Sequence, residues 1–147
     1  MKMKFSYDPS TLGKVALVEV VSLIPEFDER NGSLWIRFQD PSNPVLDALQ
    51  RTMPSFIAND SDAQVIATLY RQLPPAEPDR CHIPPYGFKF HLSNSDIIYA
   101  SLCWQCNTAN VWLTTPDRQR GFTFDGQSEA AQELFDICRR YLPTNLN

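Results

Sequence analysis

The chain has little glycine, little histidine and little basic charge. Five glycines stand against twelve prolines in 147 residues, so its loops read as stiff rather than flexible. No glycine-rich phosphate loop is present, which removes the common nucleotide-binding signatures. Two histidines leave few bases for acid–base catalysis. Neither His-Glu-x-x-His nor a serine elbow occurs, so the zinc-protease and α/β-hydrolase signatures are absent. Lys plus Arg number 13 against 17 Asp plus Glu, a formal net charge of −4. The longest basic runs are Arg139-Arg140 and the spaced Arg118 and Arg120. Nucleic-acid binding depends on clustered cations and is not expected. Long apolar runs are missing too. The most apolar stretch, Val15 to Ile24, is too short to span a bilayer and carries Glu19. Lys2, Lys4 and Lys14 precede it in the manner of a leader's basic region. Glu19 interrupts the apolar part, however, and no small-x-small cleavage site follows. The expected compartment is the cytoplasm, or the periplasm if a leader has been removed.

What is there reads as one α+β domain over residues 1–147. It has an antiparallel sheet with an N-terminal hairpin, a middle helix, and a C-terminal helix packed on the sheet. Val15 to Val21 is a valine-rich strand. "ERNGS", residues 29 to 33, carries the Asn-Gly pair of a tight hairpin, and Leu34, Ile36 and Phe38 alternate after it. Val45, Leu46 and Leu49 fit a short helix behind Pro44. "NDSDAQVIATLYRQLPP" predicts a helix capped by Asp60 or Ser61, with Val65, Ile66, Leu69 and Leu73 as its apolar stripe. Phe88, Phe90 and Leu92 share one face of a strand, and "SNSD" turns the chain. The next strand puts Ile97, Tyr99, Ser101 and Cys103 on one face and Ile98, Ala100, Leu102 and Trp104 on the other. It is largely apolar on both, as a central strand is. Further strands include Val111 and Leu113, then Phe122 and Phe124. Ser128 caps the last helix, Arg139 and Arg140 complement its negative end, and Pro143 follows. Its stripe is Ala130, Leu134, Ile137, Cys138 and Tyr141.

Three of the four cysteines fall in residues 81 to 107. Cys81, His82, Cys103 and Cys106 are the candidate metal ligands, zinc is the metal they would take, and Cys138 could help only by leaving the apolar face of its helix. Their spacing fits zinc poorly. Trp104 and Gln105 fill the gap where a knuckle carries small residues, and adjacent Cys81 and His82 do not readily reach one ion. A thioredoxin-like pair needs a helix after its first cysteine, and no helical pattern follows Asn107. Two residues three apart in a regular strand face opposite ways, so Cys103 and Cys106 converge only if the chain bends. Structural packing is the reading that fits the residues best, with Cys138 in the helix stripe as core. A bond from Cys81 to Cys103 or Cys106 would clip the proline-rich loop to the sheet.

Cys81, Pro84 and Tyr86, followed by Cys103, Trp104, Cys106 and Asn107, resemble a pattern in small uncharacterised bacterial proteins: Cys-x-x-Pro-x-Tyr, then Cys-Trp-x-Cys-Asn. The resemblance covers about a fifth of the chain. It implies that these residues form a unit, and it implies no activity.

Asp60 and Asp62 lack the glycine and distal glutamate of a cation loop, so helix capping explains them better. No complete catalytic constellation emerges, no catalytic residue is assigned, and no cofactor is expected. The expectation is a non-enzymatic bacterial protein-binding module of the immunity or inhibitor kind, with a protein partner, no nucleic acid and no membrane. Its acidic contact candidates are Asp28 and Glu29 beside the hairpin turn, and Glu77 and Asp79 in the proline loop. The alternative is a metal- or thiol-dependent protein, zinc or disulfide, centred on Cys81, Cys103 and Cys106.

Overall fold

A computed structural model describes residues 7–23, 55–79, 84–114 and 117–143. The fold is α+β. Six strands form one antiparallel sheet in the order β2-β1-β3-β4-β5-β6. They are β1 (Val15–Ser22), β2 (Ser55–Ile57), β3 (Tyr86–Leu92), β4 (Ile97–Cys103), β5 (Thr108–Thr114) and β6 (Asp117–Thr123). Helix α1 (Asp60–Arg71) follows β2, and helix α2 (Glu129–Tyr141) closes the described chain. A short 3-10 turn, Pro9–Thr11, precedes β1 and is capped by Asp8, whose carboxylate accepts from the Ser10 amide at 2.9 Å.

Register sorts each strand into two faces. One face carries Val18 and Val20 of β1, Phe88 and Phe90 of β3, Ile98, Ala100 and Leu102 of β4, and Ala109 and Val111 of β5. All are buried in one apolar core with residues of both helices. The opposite face carries Glu19, Lys89 and Tyr99 in one cross-strand row, and Val21, Gly87, Ser101 and Asn110 in the next. β4 lies between β3 and β5, and both of its faces are largely buried: Ser101 is 0% exposed on one and Ala100 is 0% on the other. This is the central strand the two apolar faces predicted.

Helix α1 departs from its expected details. Its cap is Asn59, not Asp60 or Ser61; the Asn59 side-chain oxygen accepts the Asp62 amide at 2.8 Å. Asp60 is already helical, and Asn59 is the last residue with extended backbone, so the capping geometry falls one position earlier. The buried row is Ala63, Ile66, Ala67, Leu69 and Tyr70, whereas Val65 is 40% exposed. The two alanines turn toward the packed side and Val65 rotates out. Tyr70 meets Phe90 at a tilt with ring centroids 4.7 Å apart, and meets Phe122 edge-on at 5.6 Å.

Helix α2 matches more closely. Ser128 caps it, accepting from the Ala131 amide at 3.2 Å, and Leu134, Ile137 and Cys138 are buried. Ala131 is buried and Ala130 only partly so, which shifts the stripe by one residue at its start. The Tyr141 hydroxyl joins the two helices: it accepts from the Asn59 amide at 3.2 Å and donates to Asp62 at 2.5 Å.

Strand β2 was not anticipated. Three residues are too few to display a two-residue period. It pairs Val20 with Phe56 and forms one edge of the described sheet. β6 begins at Asp117, earlier than Phe122, and Phe124 lies just past its end. The hairpin at residues 29 to 33 and the short helix at Val45, Leu46 and Leu49 lie outside the described residues. No helix among the described residues is long and apolar enough to cross a membrane.

Candidate functional site

The segment Cys103-Trp104-Gln105-Cys106-Asn107 is where the sequence concentrates its unusual chemistry. β4 ends at Cys103, a tight turn occupies residues 104–107, and β5 begins at Thr108. The chain therefore turns between the two cysteines, a bend their spacing called for only if the two sulfurs were to converge. Asn107 makes this possible with a left-handed backbone, φ 58°. Asparagine tolerates that region better than most residues with a side chain.

Each residue of the turn fastens a different element. Trp104 enters the core, where its indole N–H donates to the carbonyl of Ala131 on α2 at 2.8 Å. Its ring meets Phe135 at 5.0 Å and Phe124 edge-on at 6.1 Å. Asn107 uses both ends of its amide. Its oxygen accepts from the Gly126 N–H at 2.9 Å, and its NH2 donates to the Glu77 carbonyl at 3.0 Å. Its own carbonyl accepts from the Phe124 N–H at 3.1 Å. Gly126 is held so close that a Cβ there would fall 2.0 Å from the Trp104 carbonyl oxygen. The turn thus binds the proline loop on one side and the approach to α2 on the other.

The proline loop is pinned by its backbone at three points: Asp125 N–H to Pro74 carbonyl at 2.7 Å, Asn107 to Glu77, and Asp79 N–H to Cys106 carbonyl at 2.8 Å. Between these ties, the residues Glu77, Pro78 and Asp79 are exposed. Two of the four partner-contact candidates, Glu77 and Asp79, are therefore brought together on a loop fixed from beneath. The other two, Asp28 and Glu29, lie outside the described residues.

The cysteines divide. Cys106, fully buried, is disulfide-bonded. Cys103 and Cys138 are reduced and buried. Cys81 and His82 lie outside the described residues. A sulfur committed to a disulfide supplies no thiolate, so Cys106 is not a metal ligand while the bond stands. Among the described residues, no three His, Cys, Asp or Glu side chains gather as a metal-holding group. Burial pushes the Cys138 thiol well above its ordinary value, which suppresses the thiolate a nucleophile needs.

His91 is engaged elsewhere. It faces Glu19 across β1 and β3, with Nε2 2.8 Å from the carboxylate. It pairs with Ile97 at the start of β4, while Cys103 is at the end of that strand, so these two form no Cys-His pair. Beside the turn, Tyr86 donates its hydroxyl to the Leu142 carbonyl at 2.5 Å. Burial, with the neighbouring Cys138 thiol second, pushes its pKa up to about 12.

Two features escaped the sequence reading. Asn107 and Gly126 form the hub of the site; the left-handed position was signalled only by an asparagine in a turn. The edge strand β2 exposes Phe56 and Ile57, at 52% and 57%, with Phe56 leaning on Tyr141 at 5.0 Å.

No family model matches the chain, and neither the curated proteins nor the solved structures contain a match.

Proposed function

We propose that the protein is a non-enzymatic binding module whose partner is another protein, in the manner of an immunity or inhibitor protein. The observation that carries this reading is the proline loop. It presents Glu77 and Asp79 outward while three hydrogen bonds hold its backbone. A loop ordered before binding loses little conformational entropy on association. Its carboxylates suit a partner with a basic rim, where charge speeds association. The exposed Phe56 and Ile57 on an edge strand add support, since such residues recur at protein interfaces.

The test is affinity capture from the native host, then binding kinetics with the purified partner. Charge reversal, Glu77→Lys with Asp79→Lys, should slow association, and added salt should slow the wild type by a similar mechanism. A thermal melt checks that the variant still folds. A partner whose association ignores both salt and these substitutions would defeat the reading.

A second reading, a thiol-dependent protein centred on Cys81, Cys103 and Cys106, draws support from the bonded state of Cys106. That bond favours the disulfide form of the reading over the zinc form. It also favours an oxidising compartment such as the periplasm over the cytoplasm. Zinc content and a thiol count on native protein separate the two forms: about one equivalent of zinc with unreactive thiols would restore the metal reading.

A further inference from the structure

We propose that β2 is a self-pairing edge. Two copies of this chain join antiparallel through Ser55, Phe56 and Ile57 about a two-fold axis, so that their two sheets run on as one. The proposal does not rest on the protein-binding reading, whose carrying observation is the proline loop.

Backbone alternation identifies the groups of β2 that face away from the sheet. The Ala58 N–H donates to the Val18 carbonyl at 3.0 Å, so Ala58 turns its backbone groups toward β1. The same register sets Phe56 opposite Val20. In an antiparallel ladder every second residue of a strand bonds to a given neighbour. Phe56 therefore also bonds to β1, and Ser55 and Ile57 turn their N–H and C=O groups outward. Among the described residues nothing takes these outward groups, and β2 is the last strand on that side of the described sheet. The next outward amide, that of Asn59, already donates to the Tyr141 hydroxyl at 3.2 Å, which ends the open stretch.

A second copy fits this edge by symmetry. With the axis at Phe56, Ser55 falls opposite the copy's Ile57, and Ile57 falls opposite the copy's Ser55. Each such pair exchanges its N–H and C=O groups, so every outward group of the edge finds a partner. On one face a small serine lies beside a large isoleucine. On the other the two Phe56 rings meet across the axis, an aromatic pairing that sheets favour. Phe56 and Ile57 are 52% and 57% exposed, so these contacts take apolar surface out of water. Nothing in the strand resists its own kind. Ser-Phe-Ile carries no charge and no proline, and its register with β1 has no bulge, the devices that usually keep edge strands apart. Three residues cover far less than the roughly 800 Å² per partner that a stable interface buries. The dimer is therefore weak, filling at about 0.1–1 mM and dissociating on dilution.

Isotope-labelled full-length protein is compared at about 10 μM and about 1 mM, by sedimentation and by residue-resolved amide hydrogen exchange. The chain should pass from monomer to dimer. Exchange at Ser55 and Ile57 should slow by about threefold or more at the higher concentration, while Phe56, bonded to β1, is protected at both. Ile57→Pro removes one outward N–H and no bond to β1, and Ile57→Lys adds a guarding charge. Both variants should stay monomeric at the higher concentration, with a thermal melt checking that they fold. A wild-type chain still monomeric there would overturn the proposal. So would a dimer that both variants leave intact, or exchange at Ser55 and Ile57 that ignores concentration. Protection of these two amides only on adding a captured host protein would give the edge to another chain, and overturns it equally. Purified protein alone supplies the expected result, so the dimer and the loop reading fail separately.

Discussion

Asn107 combines three demands in one residue: a left-handed backbone, an acceptor for Gly126 and a donor for Glu77. They can be separated by substitution. Asn107→Gly keeps the backbone and loses both side-chain bonds. Asn107→Ala loses the bonds and adds left-handed strain, so it should be less stable than the glycine variant by roughly 1–2 kcal/mol. Equal midpoints in urea for the two variants would show that the backbone constraint is not felt. Gly126→Ala places a methyl where the Trp104 carbonyl stands, and forced relief of such overlap costs about 1–3 kcal/mol or more. Chemical denaturation measures it, and an unchanged midpoint would mean the turn relaxes freely. Much of this residue-level design was hidden in the sequence. The Cys-Trp-x-Cys-Asn run was conspicuous, but its spacing called for a bend only if the two sulfurs converged, and Trp104 read as part of the strand that in fact ends at Cys103. The hydrogen bonds of Asn107 reach residues 30 and 19 positions away, and local periodicity carries no trace of such distant partners.

At the scale of elements, α2 is the piece whose packing the sequence displayed most openly. Leu134 is 0% exposed, so Leu134→Ala should cost about 2–5 kcal/mol. A loss below about 1 kcal/mol would place that face in solvent. The Tyr141 hydroxyl links the end of α2 to the start of α1, and Tyr141→Phe should cost about 1 kcal/mol in the same measurement. A zero change would mean water replaces both bonds without loss. Long elements with strong periodicity were legible: β1, β3, β4 and both helices. The exceptions have separate causes. β2 has three residues, too few for any period. In α1 the packed row takes Ala63 and Ala67 while Val65 is 40% exposed, an arrangement set by which side of the helix meets the core. Hydrophobicity alone favours valine.

For the molecule as a whole, the buried hydroxyls and the thiol set an alkaline limit. Burial is the first cause that raises Tyr7, Tyr70, Tyr86 and Cys138 above their ordinary values. Each is neutral when protonated, and the fold holds that form. Below the unfolded values of 9.0 for cysteine and 10.0 for tyrosine, both states keep their protons and the contribution is constant. Above them the unfolded chain releases protons that the folded chain retains, so stability falls, for Tyr86 until its folded value of about 12 is passed. Thermal melts should therefore show a midpoint dropping steeply from about pH 9 upward. Tyr86→Phe should make that slope shallower; an identical slope would assign the drop to other groups. The α+β class and the helix-on-sheet arrangement were readable from the order of strand and helix patterns. The strand order was not. Nothing in the β1 sequence states that its neighbours are β2 and β3.

That strand order has a consequence in time. β1 is made early, yet its pairing with β3 brings together side chains such as those of Glu19 and His91, which lie 72 positions apart. While the chain emerges from the ribosome, β1 waits with a valine-rich face and the edge that β3 will cover left open until β3 appears. Closing so long a loop is slow, and an unpaired apolar strand invites association with other chains meanwhile. Production of this protein should be limited by what shields β1 during synthesis. Soluble yield should rise when translation is slowed by cooling or when a holdase chaperone is supplied, even though the finished fold needs neither.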